Sequence, residues 1–178
     1  MPTNFPTSVD NFTNPTANDS LNLPSHSTQH ANANDAIEAI ETFALTLPRG
    51  DLVLSTITSN TTALNAEVQR ATVSFTAVTG RLYKVTWFEP SVQNGVNASA
   101  NDLRLRLDAV GGTQLQRGSI YYAGSSYEQG AIMHYIGTFT AGTRSVFATV
   151  QTNAATGTTY KASSTAPAYL LVEDIGVA

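Results

Sequence analysis

Two histidines, His26 and His30, have the spacing that most directly suggests chemistry in this chain. Residues four apart lie on one face of a helix, where two imidazoles can bind a metal ion. Pro24 and the surrounding Ser and Thr residues disfavour a helix at this point. We therefore expect both histidines to donate hydrogen bonds to neighbouring backbone, and we predict no metal site and no cofactor.

The tripeptide Arg49-Gly50-Asp51 is one that integrins recognise in extracellular ligands. It lies where a helix must end and a strand begin, and glycine is common at such a junction because it tolerates left-handed backbone. Three-residue matches also arise by chance. A structural role for the tripeptide is therefore favoured over adhesion.

Catalytic motifs are missing from the sequence. It has no Gly-x-Ser-x-Gly elbow, no phosphate-binding loop and no His-Glu-x-x-His zinc motif. His134 lies in an apolar strand pattern, where a histidine is usually on the wet face or hydrogen-bonded. Asp102 and Asp108 flank a strand and Glu173 precedes Asp174, but acids at strand ends are normally solvated rather than paired for glycoside hydrolysis. We predict a non-enzymatic protein with no catalytic residues.

Aromatic side chains offer a further possibility. Aromatic rings stack on sugars, and they also fill cores and subunit interfaces. Packing is the favoured role, but four residues could face a ligand: Trp87, Tyr121, Tyr122 and Tyr127.

The composition describes the protein that must position these residues. The chain has 178 residues, of which 42% are hydrophobic, so one globular domain with an appendage is expected. Only 12% are charged, the net charge is −4, and no Lys or Arg precedes Arg49, which disfavours nucleic acid as a partner. Cysteine is absent. No stretch approaches membrane-spanning length, and the start lacks the apolar run of a secretion signal, so no membrane partner is expected.

Residues 1–31 are polar and proline-rich, with prolines at positions 2, 6, 15 and 24. This composition favours extended and turn conformations. The few apolar side chains are too sparse to form a core, and we predict that they anchor the arm to another subunit: Phe5, Val9, Phe12, Leu21 and Leu23.

A helix is predicted from about Asn34 to Leu45, with Asp35 and Glu38 spaced as a capping box and Pro48 and Gly50 ending it. Its apolar residues recur every four and three positions as in a coiled coil: Ala33, Ile37, Ile40, Ala44 and Leu47. Isoleucine at core positions favours trimers or higher assemblies. Residues 32–48 are therefore predicted to form a short trimeric neck.

From residue 49 onward the hydrophobic period changes to two, which predicts strands. The predicted segments are 52–58, 71–78, 82–89, 102–108, 114–122, 128–139, 145–152, 158–162 and 168–175. In 102–108 leucines alternate with charged residues, so Leu103, Leu105 and Leu107 should face the core, and Arg104 and Arg106 the solvent. Short, regularly punctuated strands predict an antiparallel β-sandwich, a jelly roll, over residues 49–178.

Two segments carry a family resemblance. The stretch Thr13-Asn14-Pro15 through Asn34-Asp35-Ala36-Ile37-Glu38-Ala39-Ile40-Glu41 resembles an N-terminal module of structural proteins of tailed bacteriophages. The stretches 73–85 and 168–176 look like the β-sandwich heads of phage fibre and decoration proteins, which are similar to trimeric C1q or tumour-necrosis-factor jelly rolls. The resemblance implies a three-fold assembly with the arm fixed to the virion and the head facing solvent.

These features together predict a homotrimeric capsid decoration or head-fibre protein of a phage, located on the virion surface after assembly in the host cytoplasm. Its partners would be copies of itself and the phage major capsid protein or tail proteins. A long shaft between arm and head is missing, and a fibre that reaches the host would usually need one. The alternative is a tail-associated fibre protein that binds a host cell-surface glycan.

Overall fold

The computed structural model describes residues 26–63, 65–94, 99–122, 127–153 and 157–178. Contacts divide the chain into two units, with the boundary between Leu47 and Pro48. The first unit contains one helix among the described residues, and the second contains ten strands. The predicted anchoring residues of the arm, from Phe5 to Leu23, lie outside the described residues.

The helix, α1, runs from His26 to Thr46, so its start differs from the prediction. Residues 26–31 are helical rather than extended, and Asp35 lies inside the helix, where it cannot act as the predicted N-cap. Pro24 does not prevent this, because a proline restricts the residues before it and is tolerated at a helix start. The end is as predicted, since α1 stops two residues before Pro48. Among the described residues, no helix has the length and hydropathy needed to span a membrane.

The strands follow the predicted segments closely. They are β1 (Gly50–Ile57), β2 (Thr61–Ala63), β3 (Val68–Ala77), β4 (Arg81–Asn94), β5 (Ser99–Leu107), β6 (Thr113–Tyr122), β7 (Glu128–Gly137), β8 (Gly142–Thr152), β9 (Thr158–Lys161) and β10 (Ala168–Val177). Only β2 was not predicted, because three residues are too short to show a period of two. A turn joins β3 to β4, with Gly80 at a φ of 77° and the Arg81 N–H donating to the Val78 carbonyl.

The strands form two antiparallel sheets. One has the order β1-β10-β4-β7. In this sheet the short strand β9 pairs with the last residues of β4, beyond the end of β10, and β2 pairs with β9. The other has the order β3-β8-β5-β6. Between β3 and β8 the chain crosses from one sheet to the other at every connection except the β5-β6 hairpin, which lies within one sheet, and this interleaved order is that of a jelly roll. The predicted mainly β class and sandwich architecture are confirmed.

One hydrophobic core lies between the sheets. Leu103 and Leu105 of β5 are buried, as the alternation predicts, while Leu107 is half-buried and packs against the same core. The same cluster contains inward-facing residues of the other sheet: Tyr83, Val85 and Trp87 of β4, and Leu170 and Val172 of β10. The leucine face of the 102–108 strand is thus confirmed.

Candidate functional site

The helix carries the predicted oligomerisation residues on its surface. None of the residues of α1, all of which the structure describes, is buried. Ile37 and Ile40 are 54% and 53% exposed, and Leu47, just after the helix, is 46% exposed. Ala33 and Ala44 are exposed as well. The apolar seam residues of α1 are therefore exposed in the single chain. The trimer interface stays a prediction.

His26 and His30 lie on one face of α1, contrary to the expected non-helical segment. Their rings contact each other edge to face, with centroids 4.5 Å apart. Metal sites in proteins usually have three or more protein ligands. Within the described residues, no group of three or more His, Cys, Asp or Glu side chains could hold a metal ion. One chain alone supplies two candidate ligands at this point.

The outer face of the β1-β10-β4-β7 sheet is apolar across all four strands. Leu54 is paired with Leu171, and Phe88 with Ile132. The rings of Phe88 and Tyr169 stack with centroids 5.4 Å apart. Leu54, Ile132 and Ile136 remain 59%, 60% and 57% exposed. We call these residues, with Leu171, the apolar face.

Few charges interrupt the apolar face. Lys84 and Glu173 lie on this side of the sheet, and their side chains pair with each other at 3.0 Å. His134 is exposed on the same side, and its Nδ1 lies 3.1 Å from Thr86 Oγ1. The expectation that His134 is a wet-face or hydrogen-bonded residue is confirmed. An exposed sheet face of this composition is typical of a surface that another protein covers.

The outer face of the β3-β8-β5-β6 sheet is instead polar and charged. Glu67, which precedes β3, accepts hydrogen bonds from Arg106 Nε and Nη2 at 2.9 and 2.7 Å and from Arg104 Nη1 at 3.1 Å. Arg104 Nη2 lies 2.5 Å from Asp102 Oδ2. The hydrogen bond from Arg106 is the largest cause that lowers the pKa of Glu67. We call this cluster of Glu67, Asp102, Arg104 and Arg106 the arginine network.

The network corrects one prediction. Arg104 was expected to face solvent, but it is only 8% exposed, and Arg106 is half-buried. The alternation of β5 identifies which side the arginines occupy, but it does not reveal that Glu67 lies over them.

A cleft of about 310 Å³ opens beside the arginine network. Its polar lining comes from the segment before β3, from β5 and β6, and from the end of β8 with the residue after it: Asn65, Asp102, Arg117, Gln151, Thr152 and Asn153. Arg117 Nη2 donates to both oxygens of Asp102 at 3.0 and 2.9 Å. Gln151 donates to the Asn65 carbonyl and accepts from Arg104 Nη1 at 2.7 Å. The lining side chains are therefore held in place by one another.

The predicted ligand-facing aromatic residues divide into two groups. Trp87 and Tyr122 are 1% and 4% exposed in the core, so burial excludes them from contact with a ligand. Tyr121 and Tyr127 are 67% and 64% exposed. Tyr121 pairs with Ala100, which lines the cleft. Neighbouring residues of a strand face opposite sides, which explains why Tyr121 and Tyr122 differ.

The remaining candidate acids and the Arg-Gly-Asp tripeptide make structural contacts. The backbone N–H of Ser145 is the largest cause that lowers the pKa of Asp108, and Arg144 contributes. Asp174 accepts from Arg81 Nε and Nη2 at 2.9 and 2.6 Å. Arg49 lies 3.9 Å from the same carboxylate, and Gly50 opens β1 with a φ of 74°.

Comparison with known proteins yields only distant structural similarity. No protein-family model matches the chain, and no curated protein matches it. Among solved structures, VP2 of infectious bursal disease virus in its subviral particle is 10% identical with a TM-score of 0.42, and VP2 of the Gx strain is 11% identical with a TM-score of 0.41. The two matches cover 72% and 74% of this chain, and this chain spans only 38% and 37% of the length of the two VP2 chains. TmCBM61 in complex with β-1,4-galactotriose is 14% identical with a TM-score of 0.28, covering 69% of this chain and 66% of its own.

Proposed function

We propose that this chain is a non-enzymatic structural protein of a tailed-phage particle, a homotrimeric capsid decoration or head-fibre protein anchored by its N-terminal arm. The observation that carries the proposal is the contrast between the two outer faces of the sandwich. One is apolar and exposed, and the other is polar with its charges paired. A protein whose head must both assemble and face solvent requires this division.

The apolar face is assigned to contacts between copies of the chain around a three-fold axis. Leu54, Ile132 and Ile136 are each more than half exposed, so this face presents apolar surface that a second copy can cover. Lys84 and Glu173 neutralise each other at 3.0 Å, so burying this face leaves no unpaired charge from that pair. The uncovered seam of α1 adds a second apolar contact along the same chain.

The polar outer face is then the surface that meets solvent on the particle. Its arginine network satisfies its own charges, which suits a surface that needs no protein partner. The arm, which resembles the phage N-terminal module, is assigned to the capsid.

Immunogold labelling of intact particles tests the location, and label on heads is the expected result. A Leu54→Glu variant should assemble and bind particles poorly, whereas Thr72→Glu, on the exposed polar face of β3, should behave as the unaltered protein. Deletion of residues 1–25 should leave a folded head that no longer binds particles. Full particle occupancy by the truncated protein would place the anchor elsewhere in the chain.

The alternative, a tail-associated receptor-binding protein for a cell-surface glycan, is favoured by one observation, the polar cleft with the exposed Tyr121 beside it. Label on tails rather than heads in the same immunogold experiment would select it.

A further inference from the structure

We propose that the cleft between Asn65 and the strands β5, β6 and β8 is a saccharide-binding site. Tyr121 would stack on a sugar ring, and Arg117 and Asn153 would donate hydrogen bonds to its hydroxyl groups. The inference deepens the glycan-binding alternative given above by naming its site, and it does not depend on particle assembly, because all residues of the site lie in the head.

The size and lining of the cleft set the class of ligand. About 310 Å³ is at the lower end of the range for small-molecule sites, which suits a short oligosaccharide or one end of a longer chain. The polar side chains that line it carry amides, a carboxylate, a hydroxyl and a guanidinium, and Ala100 adds an apolar contact. Such a lining matches a ligand rich in hydroxyl groups.

Two lining groups keep donors available. Arg117 binds Asp102 through Nη2, and within the described residues its Nε and Nη1 make no hydrogen bond. Asn153 accepts from the backbone N–H of Ala100 at 2.8 Å through Oδ1, while its Nδ2 has no hydrogen-bond partner in the described part of the chain. Both groups are oriented by these contacts before a ligand arrives. Pre-orientation reduces the entropy that is lost on binding.

Tyr121 supplies the apolar contact that sugars require. Residues directly opposite in an antiparallel pair have Cβ atoms about 5 Å apart, so Tyr121 lies beside Ala100 at the edge of the cleft. Alternation along β6 places Arg117, Ser119 and Tyr121 on the same face. The ring is 67% exposed and can cover the C–H face of a pyranose while its hydroxyl stays in water.

The charge balance favours a neutral saccharide over a phosphate-bearing ligand. Arg117 is the exposed cation of the cleft, and it is paired with Asp102 at 2.9 Å. Phosphate groups are usually bound by unpaired Arg or Lys side chains or by helix N-termini. An anion at this position would meet the Asp102 carboxylate next to the guanidinium.

The test uses the full-length protein on an array of neutral oligosaccharides, followed by calorimetric titration with the sugars that bind. We expect at least one bound sugar, with affinity reduced at least tenfold by Tyr121→Ala and by Arg117→Ala. Tyr127→Ala and Arg144→Ala are the matched controls, because Tyr127 is equally exposed and Arg144 forms a partly exposed ion pair with Asp108 instead. The controls should bind as the unaltered protein does.

The proposal is overturned by an array without any bound sugar, or by binding that the two control substitutions reduce as much as the cleft substitutions. Circular dichroism melts of each variant separate lost binding from lost folding. The sugar-binding test uses the protein without particles, and the immunogold test uses particles without added sugar. Either proposal can therefore fail while the other holds.

Discussion

Arg70 of β3 and Glu89 of β4 form a bidentate ion pair that joins the two sheets inside the sandwich. Arg70 Nε and Nη2 donate to Glu89 Oε2 and Oε1 at 2.9 and 2.8 Å, and both side chains are completely buried. Arg70 Nη1 also donates to the Ser59 carbonyl at 2.7 Å. Each partner lies at a register shift of its strand, and such bulges redirect side chains.

Removing one partner of this pair should be strongly destabilising. Glu89→Gln leaves the Arg70 guanidinium without its counter-charge, and Arg70→Ala leaves the Glu89 carboxylate unpaired in the core. Breaking a buried pair in this way typically costs about 3–5 kcal/mol. The double variant Arg70→Met/Glu89→Leu removes both charges and should recover most of that loss. Urea denaturation measures the free energy of unfolding of each variant. A double variant no more stable than the worse single variant would contradict this account.

The second prediction compares the two sides of β5. Leu105→Ala creates a cavity in the core and should reduce the free energy of unfolding by about 2–5 kcal/mol. Arg104→Ala leaves Glu67 and Asp102 each with one donor fewer at a nearly buried site and should cost about 1–3 kcal/mol. Arg117→Ala, at an exposed ion pair, is the control and should cost less than about 1 kcal/mol. Thermal melts that show equal effects for Arg104 and Arg117 would mean that the network adds no stability.

Strands and their inward faces could be predicted from the sequence because both follow from local alternation. The leucines of β5 show this, since their period of two alone places them in the core. Burial of Arg104 could not be predicted, because it depends on Glu67, which is distant in sequence and reaches the network only after β3 and β5 are joined through β8. The start of α1 differs from the prediction for a local reason, because Pro24 disfavours helix in the residues before it and not in those after it.

The cleft could not be predicted from the sequence at all. Its residues come from separate segments that meet through the pairing of β5 with β6 and β8. No spacing in the chain shows that Arg117 and Asn153 are neighbours. The one available signal was Tyr121 beside Tyr122, because alternation requires one of the two rings to point outward.

Acid should destabilise the head through Glu67. The hydrogen bond from Arg106 lowers the pKa of Glu67 below its usual value of 4.5 in the folded state. A group with a lowered pKa contributes stability above its unfolded pKa, and that contribution is lost as the pH falls through the folded pKa. The Tm should therefore decrease as the pH is lowered below about 4.5. The Glu67→Gln variant should have a lower Tm than the unaltered protein at pH 7, and its Tm should depend less on pH in the acid range. Parallel Tm curves for the two proteins between pH 3 and 7 would exclude this role.

The last prediction concerns assembly through α1. Ile37 and Ile40 lie at adjacent seam positions and are more than half exposed in the single chain, so a trimer would remove both from water. Ile37→Ser/Ile40→Ser should shift the protein from trimer to monomer in analytical ultracentrifugation. Leu45→Ser is the matched control, because Leu45 is 66% exposed but lies outside the seam. An unaltered protein that sediments only as a monomer at every concentration tested would contradict the trimer. A double-serine variant that stays trimeric would instead assign trimer formation to the apolar face of the head, which the Leu54→Glu variant then tests.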